Sequence, residues 1–513
     1  MKKSTVIILM ALAVAAPASG LEADTAAVVT VAQRIARHSD MMRTMAREAY
    51  DNPAVRQWEQ PYDYSAISAD YDYSGGNRAV DVQRGKGSAA WGFTADSCIK
   101  HKSSTLWGSA SYRNGRRRGV CWNESSDADM IYPYFTADSI GGDMRMETYS
   151  FAGGYADHND RWAWGASASY DAGLYYRNVD PRPRNTTGRL DIAAGGAVRI
   201  GNSDYHAGIS AGYRKYKQSC DIEFVNELSD NRIWHLTGLG THYERFAGLG
   251  YSHYYNGHRW GATANLFPSS RRGAVASVEV TSFRFDHILT ALNKLPLQSA
   301  TDNRLSASAG WLAPGRVHDF AATVSLTHGK RIGSENIFGD PAASIYPQLG
   351  SLSLYRHIVT EAGVNLLWQW RPERSALLSV NPRVEWNRSD ESYADPHRRL
   401  LLSSVAPAIT VKGARTIGGA WHAAVSVDVA CTLPVDNICE LPYNGSIPAG
   451  MQSTDIRRYD ILSRSHTLAG VRADISRAVS DRYALGISVS YFRSSYTQGV
   501  HADCVDASLS FIF

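Results

Sequence analysis

The sequence predicts an all-β protein, a transmembrane antiparallel up-and-down β-barrel of about 16 strands, with a range of roughly 14 to 18. Many runs alternate apolar and polar side chains at period two, and each is about as long as a tilted strand that crosses a bilayer. Short turns alternate with long polar stretches, which is typical of outer-membrane barrels with short periplasmic turns and long outer loops. Tyrosine (28) and tryptophan (13) together far outnumber phenylalanine (13), and such amphipathic aromatic residues suit the two membrane interfaces.

The first 20 residues have the pattern of a secretory signal peptide. An apolar run from Thr5 to Ala18 follows Lys2 and Lys3 and ends in small residues, so we predict cleavage near Leu21. The net charge of +4 falls to +2 when the two lysines are removed. A chain this close to neutral gives no indication of nucleic-acid binding.

Residues 21–60 are predicted to form a periplasmic N-terminal helical segment. Its apolar residues approximate one helical stripe: Val31, Ile35, Met42, Met45 and Tyr50. Asn52-Pro53 then ends the helix. Two roles remain open at this point: a small plug that enters the barrel, or an exposed lead-in helix with no gating role.

Residues 61–513 are predicted to form the outer-membrane β-barrel. In the last ten residues, Val505, Leu509 and Phe513 belong to an apolar face, whereas the opposite face is small and polar apart from Ile512. This pattern fits a closing strand between lipid and a wet lumen. Polar small residues, including Ser109 and Ser167, are expected inside.

Compositions rich in Gly, Asn, Asp and Pro mark the tight turns. They occur at 158–160, 201–204, 256–258, 314–316, 372–374, 418–419 and 480–482. The long polar stretches lie at 114–145, 218–243, 330–350 and 433–462. The strand count is ambiguous between His258 and Asp302. Pro268–Arg272 fits an outer turn or a bulge, and Leu289–Pro296 fits a loop on either side of the membrane.

The six cysteines form no C-x-x-C pair, so we expect no metal site and no cofactor, and an exported chain favours disulfides. Cys431 and Cys439 are predicted to form a disulfide at the top of an outer loop. Such a short ring adds about 2 kcal/mol to the order of the loop. The pairing of Cys98, Cys121, Cys220 and Cys504 stays open.

The stretch 114–145 carries Arg116, Arg117 and Arg118 near one end and Asp138 and Asp143 near the other. We hypothesise that it folds inward, so that opposed charges form a pore constriction. Two alternatives are that the arginines contact lipopolysaccharide phosphates at the rim, or that the loop is simply solvated.

Several phrases resemble a domain-of-unknown-function family of outer-membrane β-barrel proteins from Gram-negative anaerobes. They are Leu106–Tyr112, Tyr132-Pro133-Tyr134, Asp138–Asp143, Glu335–Asp340 and Tyr346-Pro347. The resemblance covers most of the mature chain and implies the fold and a location in the cell outer membrane. It also implies that the terminal Phe513 is an assembly signal read by the barrel-assembly machinery, and it implies no substrate or catalytic residue.

The predicted function is a channel or uptake porin for a small solute or lipid. The alternative is a structural or surface-binding barrel with a blocked lumen, whose loops contact a partner. We expect no enzyme, since the sequence lacks His-Glu-x-x-His, a phosphate-binding glycine loop and a G-x-S-x-G elbow. The remaining alternative is an outer-membrane phospholipase or protease with residues drawn from separate strands. The expected partners are outer-membrane lipid and lipopolysaccharide, and no nucleic acid.

Overall fold

The computed structural model describes residues 30–45, 47–226, 232–248, 252–343, 345–373, 375–445 and 447–513. The predicted signal peptide, 1–20, lies outside these residues. In the described part of the chain, no helix has the length and apolar character needed to cross a membrane.

Eighteen antiparallel strands form one closed barrel, which confirms the predicted fold class; the predicted count of about 16 was close. The strands are β1 (Tyr64–Gly76), β2 (Gly87–His101), β3 (Ser104–Val120), β5 (Gly142–His158), β6 (Trp162–Tyr176), β7 (Arg182–Arg199), β8 (Tyr205–Glu223), β11 (His253–Pro268), β12 (Gly273–Leu289), β13 (Leu295–Ala313), β14 (His318–Phe338), β15 (Gln348–Glu373), β16 (Ala376–Tyr393), β17 (Arg398–Ile417), β18 (Trp421–Glu440), β19 (His466–Ala478), β20 (Ala484–Ser495) and β21 (His501–Ile512).

A second sheet of three short strands, which we call the inner sheet, contains β4 (Thr136–Ala137), β9 (Trp234–Gly238) and β10 (Thr241–His242). The α-helices are Val31–His38, Met42–Met45, Arg56–Glu59, Ala128–Ile131 and Ala449–Leu462. The 3₁₀ turns are Arg47–Tyr50, Pro53–Val55, Glu244–Phe246, Thr290–Leu292 and Thr497–Gly499.

The barrel closes where its last strand pairs with its first. Tyr71 lies opposite Ala507 in this ladder, and Ser65 exchanges two backbone hydrogen bonds with Phe513, at 2.9 and 3.1 Å. We call the end at which β1 begins the lower end and the opposite end the upper end. Short turns join the strands at the lower end, whereas the long loops lie at the upper end.

The structure corrects several predicted connections. Asn256-Gly257-His258, predicted as a turn, lies within β11, because the ladder of Gly257 with Tyr216 and Phe285 continues on both sides of it. Pro268–Arg272, predicted as an outer turn or a bulge, is instead a tight turn at the lower end between β11 and β12. The loop after Leu289 lies at the upper end. Strands β3, β8, β14 and β18 also extend well into the stretches that the sequence indicated as loops.

The two faces of the barrel wall differ in polarity, as the alternation predicts. Exposed apolar side chains cover the outside, and large aromatic residues gather near both ends of this surface. Those near the lower end include Trp162, Trp311, Trp421 and Phe511. Tyr71, Trp91 and Trp260 lie higher on the wall, around and above the middle of their strands. Ile512 is an apolar exception on the polar face that lines the lumen, and it packs there against Val31 and Ile35.

Candidate functional site

Residues 30–59 lie inside the lower end of the barrel, and we call this segment the plug. Its apolar side chains pack on small and aliphatic residues of the inner wall. Met42, Met45 and Tyr50 are buried there against wall residues such as Phe267 and Leu312. The sequence left open whether this segment enters the barrel or forms an exposed lead-in helix. In the structure it lies within the barrel.

Polar contacts hold the plug at separate points around the wall. Asp40 pairs with Arg371, with an Oδ2–Nη2 distance of 2.8 Å, and accepts a hydrogen bond from Gln369 Nε2 at 2.9 Å. On other strands, Lys100 donates to the Gln57 carbonyl at 2.9 Å, and Lys412 donates to the Ser39 carbonyl. The plug is thus attached to the wall by hydrogen bonds and ion pairs as well as by apolar packing.

At its centre the plug approaches the wall so closely that only glycine fits opposite it. Asn52 caps the turn Pro53–Val55, because its Oδ1 accepts from Ala54 N at 2.9 Å, and its Nδ2 donates to Asn265 Oδ1 at 3.3 Å. A Cβ on Gly195 would lie 2.1 Å from Asn52 Oδ1. This wall surface is therefore shaped for the plug.

The surroundings of His38 in the plug disfavour its protonation. Its ring stacks on Tyr64 with a centroid distance of 4.0 Å, and its Nδ1 accepts from Arg43 Nη1 at 2.9 Å. Burial, with the positive charges of Arg43 and Arg56, lowers the pKa of His38 to about 4. The docked plug therefore holds a neutral histidine at neutral pH.

The upper half of the lumen is filled on one side by residues 121–141, the inner sheet and the helix Ala449–Leu462. Together we call these the upper closure. Tyr134 and Phe135 are buried against Tyr255 and Phe285 of the wall and share that cluster with Met451 of the helix. The stretch that the sequence indicated as an inward loop does fold into the lumen.

A buried charged group anchors the upper closure to β6 and β7. Arg177 donates to Asp138 Oδ2 at 2.7 Å and lies 3.8 Å from Glu124 Oε1, and all three side chains are almost fully buried. Burial and the neighbouring Asp138 raise the pKa of Glu124 well above its usual value. The surroundings of Glu124 therefore favour its protonated form.

The predicted constriction residues do not face one another across the lumen. Arg116 lies 3.8 Å from Asp143 on the outward face of neighbouring strands. Arg118 also faces outward and stacks on Tyr73. Arg117 alone of the three faces inward, where it donates to the Ser126 carbonyl at 2.8 Å, so it supports the inward loop instead of opposing Asp138.

A band of opposed charges does cross the inner wall, but other residues form it. The pairs lie on β6–β8 and on β11–β14, and four of them are Asp171 with Arg189, Asp191 with Arg214, Glu279 with Arg259 and Asp302 with Arg331. The two members of each pair stand on neighbouring strands and are far apart in the chain, so the sequence alone showed no charged cluster.

The predicted disulfide is wrong. Cys431 and Cys439 lie on the same extended strand, β18, and both thiols are free. Eight residues of strand span about 26 Å, whereas bonded cysteines need Cα atoms within about 7 Å. The mistake came from assigning 433–462 wholly to a loop, whereas β18 extends to Glu440.

The terminal Phe513 lies at the lower end of the barrel seam. Its backbone bonds to Ser65 end the β1–β21 ladder, and its ring lies 5.9 Å from that of Phe511. The proposed role of Phe513 as an assembly signal stays a prediction.

Among the residues that the structure describes, cavities lie at two levels of the lumen. One of about 280 Å³ separates plug residues such as Arg56 from Asp191 and Glu279 of the charged band. The other, of about 670 Å³, lies at the upper end between the β1–β2 loop and β15–β17. We call it the upper chamber. Its charged residues were missed in the sequence, although Arg78, Arg84 and Lys86 form a basic run between glycines.

Comparisons with known proteins give a family and distant structural likenesses. One family model, described as a family of unknown function, matches residues 53–513. The ferric preacinetobactin receptor BauA from Acinetobacter baumannii is 9% identical, with a TM-score of 0.41 over 88% of this chain and 80% of that one. The ferric enterobactin receptor PfeA from Pseudomonas aeruginosa, in a mutant form, is 8% identical, with a TM-score of 0.36 over the same shares of the two chains. No curated protein matches, and at these similarities the structures assign this chain neither substrate nor activity.

Proposed function

The chain belongs to DUF6850, a family of unknown function, and we propose that it is an outer-membrane uptake barrel for a small solute, closed at rest by its own plug. The observation that carries this proposal is the plug itself. A separate segment, joined to the wall by noncovalent contacts, fills the lower end of a lumen that retains cavities on its upper side.

The outer surface supports the membrane location. Trp162, Val280 and Leu509 are all about half exposed, at 55%, 54% and 57%. Such side chains over the whole outer face would be a severe aggregation hazard in water, whereas lipid solvates them. Above this apolar band, Arg116 and Arg118 face outward, and we propose that they contact lipopolysaccharide phosphates.

The width of the barrel supports transport. About eight strands already enclose an interior that side chains can fill, whereas 16 to 18 strands leave room for an aqueous channel. A barrel of this width whose role was only structural would have no need of the charged band inside it. We propose that solute passes along this polar wall when the plug leaves it, and that no catalytic step is involved.

Solute flux into liposomes tests the proposal. Full-length protein should admit little of a small sugar, and a variant that lacks residues 30–59 should admit it rapidly. The variant Asp40→Ala keeps the chain length and should give intermediate flux, so the test does not depend on the folding of the deletion variant. Slow flux through both variants, with heat-modifiable gel mobility intact, would reject the uptake proposal.

The second candidate is a structural or surface-binding barrel with a blocked lumen. The extensive burial of Tyr134, Phe135 and Met451 in the upper closure favours it, because such a cluster is costly to open. Flux that stays low after the plug is removed is the result that this candidate predicts.

A further inference from the structure

The upper chamber has the size of a small-molecule site. Its volume of about 670 Å³ lies within the range of roughly 300 to 1,000 Å³ found for ligand pockets. It extends from the upper end of β1 and the loop 77–86, across the lumen, to β15–β17 and the helix Ala449–Leu462. The upper closure packs against β8–β13 and also contacts β15–β17 through Tyr132 and Leu239. The chamber lies between the helix of the closure, the loop 77–86 and the inner face of β15–β17.

The charge of the chamber is strongly positive. Two carboxylates line it, and both are already engaged: Asp81 lies 3.6 Å from Arg84, and Glu391 lies 3.4 Å from Arg458. Three further cations also line it: Arg78, Lys86 and Arg117. Among the residues that the structure describes, none of these three has a carboxylate within ion-pair distance. The chamber therefore has excess positive charge close to solvent at the upper end.

The loop that carries Arg78 and Lys86 is held in position before any ligand binds. Lys86 N donates to the Arg118 carbonyl and Gly76 N donates to the Lys86 carbonyl, both at 2.9 Å. Gly87 has φ near +157°, and a Cβ there would lie 2.2 Å from the Ser74 carbonyl. Preorganised cations bind anions with little loss of conformational entropy.

The other side of the chamber combines apolar and polar residues. Leu400, Leu402 and Leu462 line it. His357, Ser389 and the paired Glu391 and Arg458 are its polar groups. Ser389 Oγ and His357 Nε2 are 2.8 Å apart and satisfy each other. A ligand that fits must therefore combine anionic groups for the cations with an apolar body for the leucines.

From this arrangement we propose that the upper chamber binds a small organic anion with an apolar body. Its acidic groups face Arg78, Lys86 and Arg117, and its apolar part contacts Leu402 and Leu462. The inference rests on the proposed function in one respect, because it supplies the solute class that the uptake barrel would first capture. Binding to the chamber itself requires no movement of the plug.

Equilibrium binding of naphthalene-1,5-disulfonate to the full-length protein in detergent tests the proposal. We expect saturable binding that weakens with added KCl, because salt screens the charges. Binding should fall at least tenfold in the double variant Arg78→Ser/Lys86→Ser. The matched control is Arg356→Ser/Lys330→Ser, which removes an arginine and a lysine from the outward face of β14 and β15 and should bind as the native protein does.

Two further probes separate charge from apolar contact. Neutral naphthalene-1,5-diol and inorganic sulfate should each bind at least tenfold more weakly than the disulfonate. Equal binding of the diol, or unchanged affinity in Arg78→Ser/Lys86→Ser, would overturn the anion site. Equally tight sulfate would overturn the apolar contact. Because the plug stays docked in these measurements, failure here leaves the liposome-flux result, and the uptake proposal, standing.

Discussion

Replacement of Asp40 by alanine should loosen the plug while leaving the barrel wall intact. Asp40 is the plug residue with the most contacts to charged or polar groups of β15. Its Oδ2 pairs with Arg371 at 2.8 Å, and its Oδ1 accepts from Gln369 at 2.9 Å and from Met42 N at 2.9 Å. Alanine removes all three bonds at once.

The expected cost follows from the burial of the pair. The side chains of Asp40 and Arg371 are 22% and 28% exposed, so the ion pair is only partly screened. Hydrogen bonds to charged groups contribute about 1.5–3 kcal/mol, but Arg371 keeps its second partner, Asp319. We therefore expect a loss of about 2 kcal/mol in plug docking, which is a roughly thirtyfold increase in the undocked population.

Amide hydrogen exchange measures this population directly. Peptides from residues 42–59 should exchange roughly thirtyfold faster in Asp40→Ala, whereas peptides from the strands should not change. The control is Asp340→Ala, which removes a carboxylate that pairs with Arg245 at 3.1 Å in a fully exposed setting at the upper end. Native exchange of the plug peptides in Asp40→Ala, or equal acceleration in the control, would refute the assigned anchoring role.

Three further changes test the two closures. Because the pKa of His38 is lowered to about 4, its contribution to plug docking is present above pH 6.5 and is lost as the pH falls towards 4. The protection factors of the plug amides, which correct for the intrinsic pH dependence of exchange, should therefore fall over that range, and His38→Asn should abolish this fall. Gly195→Ala should accelerate plug exchange at least tenfold by displacing Asn52. Gly212→Ala should not, because the new Cβ would lie 3.6 Å from its nearest neighbour, the Ile192 carbonyl oxygen. Because burial raises the pKa of Glu124, its contribution to stability is fully present below the unfolded pKa of 4.5 and is lost as the pH rises through the folded value. Glu124→Gln should therefore flatten the decline of the melting temperature with rising pH.

Strand alternation made the barrel predictable, because lipid on one side and water on the other impose opposite demands on successive residues. The exceptions were informative. Ile512 is apolar on the otherwise polar inner face because the plug helix packs on it. Asn256-Gly257-His258 has the composition of a turn but lies within β11, where the ring of Phe283 approaches Gly257 closely.

The lumen was less predictable, since its contents depend on contacts between residues far apart in the chain. The inward path of 121–141 was predicted from its length, but the direction of each arginine was not, because the end of β3 was placed several residues too early. Extending that strand to Val120 turns Arg116 and Arg118 outward and Arg117 inward. The same error at β18 produced the incorrect disulfide.

A reversible tether tests most directly whether movement of the plug opens the barrel. With the six native cysteines replaced by serine, Asn52→Cys and Asn265→Cys place thiols where two amide groups are now 3.3 Å apart, within reach of a short reducible cross-linker. The Asp40→Ala background raises the undocked population, and single-channel current is recorded before and after reduction. We predict no opening while the tether is in place and openings after its reduction. Equal currents in both states, with the cross-link verified by mass spectrometry, would contradict a plug that gates the lumen.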